Sequence, residues 1–227
     1  MGLLCASFTL VPSTETAKQS NTVVTAPVAD EASSIYNTIQ LEQYGLSVDA
    51  FTNAWKGYQK LLEQNRISCS DYLTICDLSQ SSRQKRFYII DVTNKHLLTN
   101  TYVAHGKNSG AEYATKFSNT AESLQSSLGF YITSATYTGT HGLSLRLNGV
   151  DPGYNDKAFE RSIVMHGAAY VDAARVRAGM YMGRSWGCPA VPQKESVNII
   201  TTIKNGTCLF IYYPSRNYLL TSKILND

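Results

Sequence analysis

The chain has 227 residues, 43% of them hydrophobic and 16% charged. That allows one domain with a sizeable core plus an N-terminal appendage, and it excludes a disordered chain. A net charge of +3 with no basic run between aromatics excludes a nucleic-acid partner, and no stretch reaches the roughly 18 apolar residues of a stable membrane span.

In chain order, residues 1–12 read as a signal-peptide remnant, because Gly2 to Val11 is short and apolar like an h-region. The first basic residue is only Lys18, so the usual charged start is missing. Leu3-Leu4-Cys5 hints at a lipobox, but the bulky Leu4 directly before the cysteine argues against lipidation. Residues 13–32, rich in Thr, Ser, Ala, Val and Pro, read as a flexible linker. Residues 33–68 read as a helical extension packed on the remainder. Ser33 or Ser34 caps a first helix that Gly45 ends; Ser47 or Asp49 caps a second, on which Phe51, Ala54, Trp55, Tyr58 and Leu62 share a face.

From Tyr72 the period changes to two, which opens a domain over residues 69–227. Tyr72 to Asp77 is a strand, and Arg86 to Val92 with Leu97 to Ala104 form a hairpin around Thr93-Asn94-Lys95. His105 to Ser127 is a long polar segment, of the kind that is functional or disordered. Asn108, Ser109 and Asn119 within it suit peptide-backbone binding or simple loop polarity equally well. Gly129 to Tyr137 and Leu143 to Leu147 are further strands, Asp151 to Glu160 is turn-rich, and Ser162 to Met165 is a short buried strand. Gln193 to Lys204 is a helix stopped by Asn205-Gly206, and Thr207 to Tyr213 a last strand. Short strands with flanking helices give a mainly β, α+β fold: a sandwich or partly open barrel.

The chemistry gathers between Ser162 and Val191. His166-Gly167 ends a strand, and Arg184-Ser185-Trp186-Gly187-Cys188-Pro189 follows a Gly- and Ala-rich loop. A thiol attacks as thiolate, so Cys188 needs a base, and a histidine at a strand end supplies one near neutral pH. Gly187 leaves room for a carbonyl to approach the backbone N–H groups beside the sulfur. A helix starting near Pro192-Gln193 adds a positive end, and together these predict a depressed thiol pKa. The other cysteines are Cys5, Cys69, Cys76 and Cys208; no CxxC pair occurs, so metal ligation has little support. Cys69 and Cys76 are a candidate pair in an oxidising compartment. His105-Gly106 and His141-Gly142 repeat the His-Gly pair, so either histidine is an alternative base or a cleft-lining residue.

The order of strand, His-Gly, loop, SxGC, helix and strand resembles the L,D-transpeptidase catalytic domain, often called the YkuD domain. Val103-Ala104-His105-Gly106, Phe117-Ser118-Asn119, Ser127 to Tyr131, Gly142 to Leu147 and Arg184 to Ala190 are similar to its divergent murein branch, over roughly Tyr72 to Tyr213. The resemblance implies a YkuD-like fold and a cofactor-free cysteine acyltransferase. It implies export to the periplasm or cell envelope, and peptidoglycan stem peptides as partner. It matches Cys188 to the nucleophile, His166 to the base and Ser185 to the position ahead of it, with Gly187 at the oxyanion. Arg184, Trp186, Gly167, His105 and His141 fall on the substrate side. The common pattern has Arg two residues after the cysteine; here Ala190 stands there, so Arg184 is expected to hold the donor carboxylate, with Arg146, Arg175 and Arg177 as the alternatives. Water in place of an acceptor amine would give an L,D-carboxypeptidase, loss of turnover a peptidoglycan-binding module, and a third group orienting the histidine an unrelated cysteine protease. Oligomeric state is left open.

Overall fold

The computed structural model describes Met1 and residues 28–227. The signal-like segment, Cys5 and the linker as far as Pro27 lie outside the described residues. Helix α1 (Val28–Ile39) begins inside the expected linker, so residues 28–32 are helical. Ala32, Ile35, Tyr36 and Ile39 recur at helical spacing and are all buried, while Asp30 and Glu31 complement the dipole of the first turn. A 3₁₀ turn, Leu41–Tyr44, ends at Gly45 with φ 82°.

Helix α2 (Val48–Glu63) is capped by Ser47, whose Oγ accepts the Ala50 N–H at 3.2 Å. Its apolar face carries an aromatic file: Tyr36 to Phe51, Phe51 to Trp55 and Trp55 to Tyr58 have ring centroids 5.8, 6.1 and 5.4 Å apart. Gly57 lets the Phe130 ring lie flush against the helix, and that ring stacks in turn on Phe210 at 4.1 Å. The extension is thereby part of the main hydrophobic core.

Eight strands form one sheet: β1 (Tyr72–Asp77), β2 (Phe87–Asp91), β3 (His96–Thr101), β4 (Gly129–Gly139), β5 (Gly142–Gly149), β6 (Val164–Ala168), β7 (Ala190–Pro192) and β8 (Cys208–Tyr212). Their order is β3-β2-β1-β8-β4-β5-β6-β7. The β1–β8 and β6–β7 pairs are parallel and the rest antiparallel. Central β1, β2 and β8 are almost wholly buried, hence their near-continuous apolar runs. Past β3 the chain reaches the opposite edge: Ala104 bridges Ala190, and Gly106 bridges Ser185. These bridges nearly close the sheet into a barrel.

Four further helices are α3 (Ala173–Arg177), α4 (Ser196–Ile203), α5 (Arg216–Thr221) and α6 (Lys223–Asn226). The C-terminal pair is tied down by Asp151, whose carboxylate accepts from Phe130 N–H at 2.8 Å, Tyr218 Oη at 2.9 Å and Ser222 Oγ at 2.6 Å. Burial pushes the Asp151 carboxyl up from its usual range, and the three donors pull against that. The expected helix start near Gln193 is corrected to Ser196, because β7 takes the residues just after Cys188 and a turn takes the next three. Cys69 and Cys76 are both free; Cys76 is inside β1, so the candidate pairing does not occur.

Candidate active site

In β6 and β5 the core-facing side chains are Met165, Leu145 and Leu147. Alternation sends Val164, His166, Ser144 and Arg146 to the other face, where Ser144 pairs with His166 and Arg146 with Val164. The turn before β7 brings Cys188 to the same place. Its thiol is 3.8 Å from the Ser162 carbonyl oxygen and lies at the Val164 N–H, one strand step from His166. Ser162 takes a left-handed φ of 53°, uncommon for a residue with a Cβ, and this turn aims its carbonyl at the sulfur.

His166 is buried, with Nδ1 2.9 Å from the Gly167 carbonyl oxygen. That bond places the proton on Nδ1 and leaves Nε2 as the basic lone pair. Burial pulls the His166 pKa down, the Gly167 carbonyl pulls it up, and His141 pulls it down again. The His141 ring stacks on His166 at 4.2 Å and 19°. His141 sits on the exposed β4–β5 turn and covers one face of the His166 ring.

Burial pushes the Cys188 thiol up; the Val164 N–H and Arg161 pull it down, in that order. The expectation of a depressed thiol pKa is corrected accordingly. The helix meant to depress it starts eight residues beyond the sulfur. A thiol kept neutral loses its proton during attack, to a general base, and does not wait as a ready ion pair.

Ser185 braces the turn. Its Oγ donates to the Cys188 carbonyl at 2.6 Å and accepts the Gly187 N–H at 3.1 Å. This corrects the oxyanion expectation for Gly187, whose N–H is already used. The Cys188 N–H has no partner among the described residues and is the donor left beside the sulfur. Gly187 keeps a different necessity: at φ 127° it passes under the Gln125 carbonyl, where a Cβ would stand 2.8 Å from that oxygen.

Three substrate-side expectations are also corrected. His105 is buried; its Nδ1 accepts from Arg86 at 2.7 Å, and its Nε2–H donates to Gly110 O at 3.4 Å. Burial, then Arg86, pulls its pKa to about 4, so it is a neutral strut holding the buried Arg86 guanidinium. Gly167 does not open space beside the histidine: it faces Ser196 at the start of α4, and a Cβ would collide there. Arg184 Nη1 donates to the Gly110 carbonyl at 3.1 Å, and the guanidinium lies 6.0 Å from the Tyr181 ring, not over the nucleophile. Trp186 is 78% exposed, so it is a projecting ring at the turn.

The long 105–127 segment is ordered by its own polar groups. Ser126 Oγ accepts the Gly106 N–H at 3.0 Å, and Ser109 Oγ accepts the Ser126 N–H at 2.9 Å. Asn108 and Asn119 bond to Ser123 O and Asp156 and are spent inside the fold.

Two neighbours of the thiol carried no sequence signal. Arg161 donates to Ser118 O at 2.7 Å and Gln125 O at 2.8 Å, and it also contacts Ser127 Oγ; its Nε is buried and unpartnered. Tyr170 has its phenol pushed up to about 12 by burial, with Cys188 adding to the shift. A third feature is a cavity of about 320 Å³ beside the Ser162 carbonyl, lined by Tyr137, Arg146, Phe159, Ser162 and Val164. Within it the Arg146 guanidinium lies 4.7 Å from the Tyr137 ring centre. The period-two pattern of Ser144 and Arg146 was the signal that placed Arg146 on the His166 face.

The fold is a nearly closed β-barrel, with Cys188 in the turn before β7 and His166 on the neighbouring strand β6. A family model described as the L,D-transpeptidase catalytic domain matches residues 42–212. The chain belongs to that family, whose chemistry is of transpeptidase type. The match takes in α2 as well as every strand. No curated protein matches. Similar solved structures include an L,D-transpeptidase from Mycobacterium smegmatis and LdtMt1 in complex with imipenem; each has 12% identity and a TM-score of 0.39, covering 63% of this chain and 59% of the other. The Ldtfm-avibactam carbamoyl enzyme has 13% identity and a TM-score of 0.37, covering 64% of this chain and half of that one. The chain therefore spans less than two thirds of these relatives. Among the described residues no helix is long and apolar enough to cross a membrane.

Proposed function

We propose that the protein is an exported cysteine L,D-transpeptidase acting on peptidoglycan tetrapeptide stems. The observation that supports this reading is the register of β6: His166 lies two residues from Val164, whose N–H bonds the Cys188 sulfur, and the imidazole is fixed through Nδ1. Cys188 attacks the carbonyl of the L-centre of meso-diaminopimelate, next to the terminal D-alanine. His166 Nε2 takes the thiol proton as the C–S bond forms and gives it to the departing D-alanine amine. The Cys188 N–H faces the developing oxyanion. Arg146, in the cavity beside the Ser162 carbonyl, meets a donor carboxylate, while Arg184 is held at Gly110 O. Ser185 braces the turn, and Arg161 holds the Ser118 and Gln125 carbonyls nearby.

An acceptor amine resolves the thioester to a cross-link; water resolves it to a trimmed tripeptide, the carboxypeptidase outcome. The test is D-alanine release from purified tetrapeptide muropeptides together with intact-mass detection of the acyl-enzyme. Wild type should do both, and Cys188→Ala neither, with an unchanged circular dichroism spectrum. Release by Cys188→Ala would end the thioester mechanism. A wild type that binds muropeptide without acylation would be the non-catalytic module.

A further inference from the structure

A second cavity, of about 560 Å³, is lined by Arg83, Lys107, Arg175 and Arg184, with the backbone of Gly179 to Gly183 as its floor. No lining residue is acidic. The nearest counter-charge is Glu112, which pairs with Arg83 at 3.3 Å and also accepts from Ser81 Oγ at 2.5 Å. Arg175 uses its Nε on Tyr181 O at 3.0 Å, and Arg184 one nitrogen on Gly110 O, so both keep donors free. Lys107 is exposed and its ammonium has no partner among the described residues. Four cations against one acid repel one another unless an anion is shared between them. Arginine forks held by backbone carbonyls are oriented in advance, which favours planar carboxylates.

The cavity's place in the sheet says which carboxylates. Across the strands the order is β5 with Arg146, β6 with His166, the Cys188 turn, and then the 104–107 segment that carries Lys107. The Lys107 N–H donates to Ser185 O at 2.7 Å, three residues from the nucleophile. Gly183, in the floor, packs against the Tyr170 ring, and that phenol is in the field of Cys188. The two cationic places therefore flank the sulfur on opposite sides.

We propose that this cavity binds an acidic peptide bearing at least two carboxylates: the acceptor strand of the reaction. The inference rests on the transpeptidase reading. The acceptor amine forms the C–N bond as the C–S bond of the thioester breaks, and its displaced proton passes through His166 to the Cys188 sulfur. Carboxylates held by Lys107, Arg175 and Arg184 present that amine from the side opposite the donor.

The first test needs no turnover. N-acetyl-triglutamate is titrated calorimetrically into full-length Cys188→Ala at 50 and 300 mM NaCl. Binding should weaken about tenfold with salt, about tenfold at low salt in Lys107→Gln, and further in Lys107→Gln/Arg175→Gln. Lys107→Gln changes one exposed side chain and keeps its backbone bond, so it tests the cavity even if the double variant folds poorly. No binding, or equal binding by Lys107→Gln, overturns the proposal. Binding of inorganic polyphosphate with none of the peptide overturns the peptide assignment. The second test reads the ratio of transfer to hydrolysis product on tetrapeptide donor, which should fall about tenfold in Lys107→Gln; an unchanged ratio overturns the acceptor role. Absence of any acyl-enzyme in wild type would defeat the transpeptidase reading, while the triglutamate titration would still stand or fall alone.

Discussion

In the proposed mechanism, the stacked pair of His141 and His166 sets the pH at which the base is available. A histidine whose pKa is pulled below its free value stays neutral, and so basic, to lower pH. Burial does most of this at His166, and His141 adds to it. In His141→Ala both the like charge and the cover go, so the His166 pKa should rise. The acid limb of kcat/KM should move up, toward the free-histidine value of about 6.5. Profiles of wild type and His141→Ala that coincide would show that the stack does not tune the base. At this scale the sequence was readable for Cys188, which does lie in a turn, but His166, read as ending a strand, is at the middle of β6. The sequence was unreadable where a role depends on register. His141 meets His166 only because Ser144 pairs with His166 and the intervening turn is tight. Arg161 reaches the thiol's surroundings through carbonyls and serine hydroxyls of residues 34 to 43 positions away. Gly167 and Gly187 stood out as glycines, but which backbone each one admits is a tertiary fact.

Among the elements, α2 shows a conflict between local and tertiary preference. Gly57 is a poor helix residue, and alanine there would return about 1 kcal/mol of propensity. The Phe130 ring occupies the place of the missing methyl and is held from behind by Phe210. Overpacking of this kind costs roughly 1–3 kcal/mol, and the trapped ring cannot swing away. Gly57→Ala should therefore lower stability by up to about 2 kcal/mol, read as a fall in urea midpoint with unchanged slope. A raised midpoint would mean that Phe130 repacks freely. The aromatic face of α2 was plain from its spacing, as were the long strands with a clean period. Strand β7 was not: three residues carry no period, and Pro192 at its end reads locally as a helix opening. Missing β7 displaced the start of α4 and produced the mistaken helix-dipole argument for Cys188. Helices α5 and α6 were missed too, because their hold on the fold is the buried Asp151, a long-range contact.

For the whole molecule, the mainly β class with flanking helices followed from the alternation of short apolar runs with turn residues. Closure did not, because it depends on two single-residue bridges, Ala104 to Ala190 and Gly106 to Ser185. Those bridges place Cys188, the proposed nucleophile, beside the seam. Ser185 pairs with the 105–107 backbone through its own N–H and carbonyl and grips the Cys188 carbonyl with its hydroxyl. The turn cannot loosen without parting the two edges, so no local opening of the site is cheaper than opening the barrel. Heat inactivation and the loss of near-ultraviolet circular dichroism should then trace one curve. The amide protons of Ala104 and Lys107 should exchange as slowly as those of β1 and β8, and earlier exchange at the seam would separate the two events. On the proposed function, a catalyst built this way has no warm, half-active state: it works until the temperature at which it ceases to be folded.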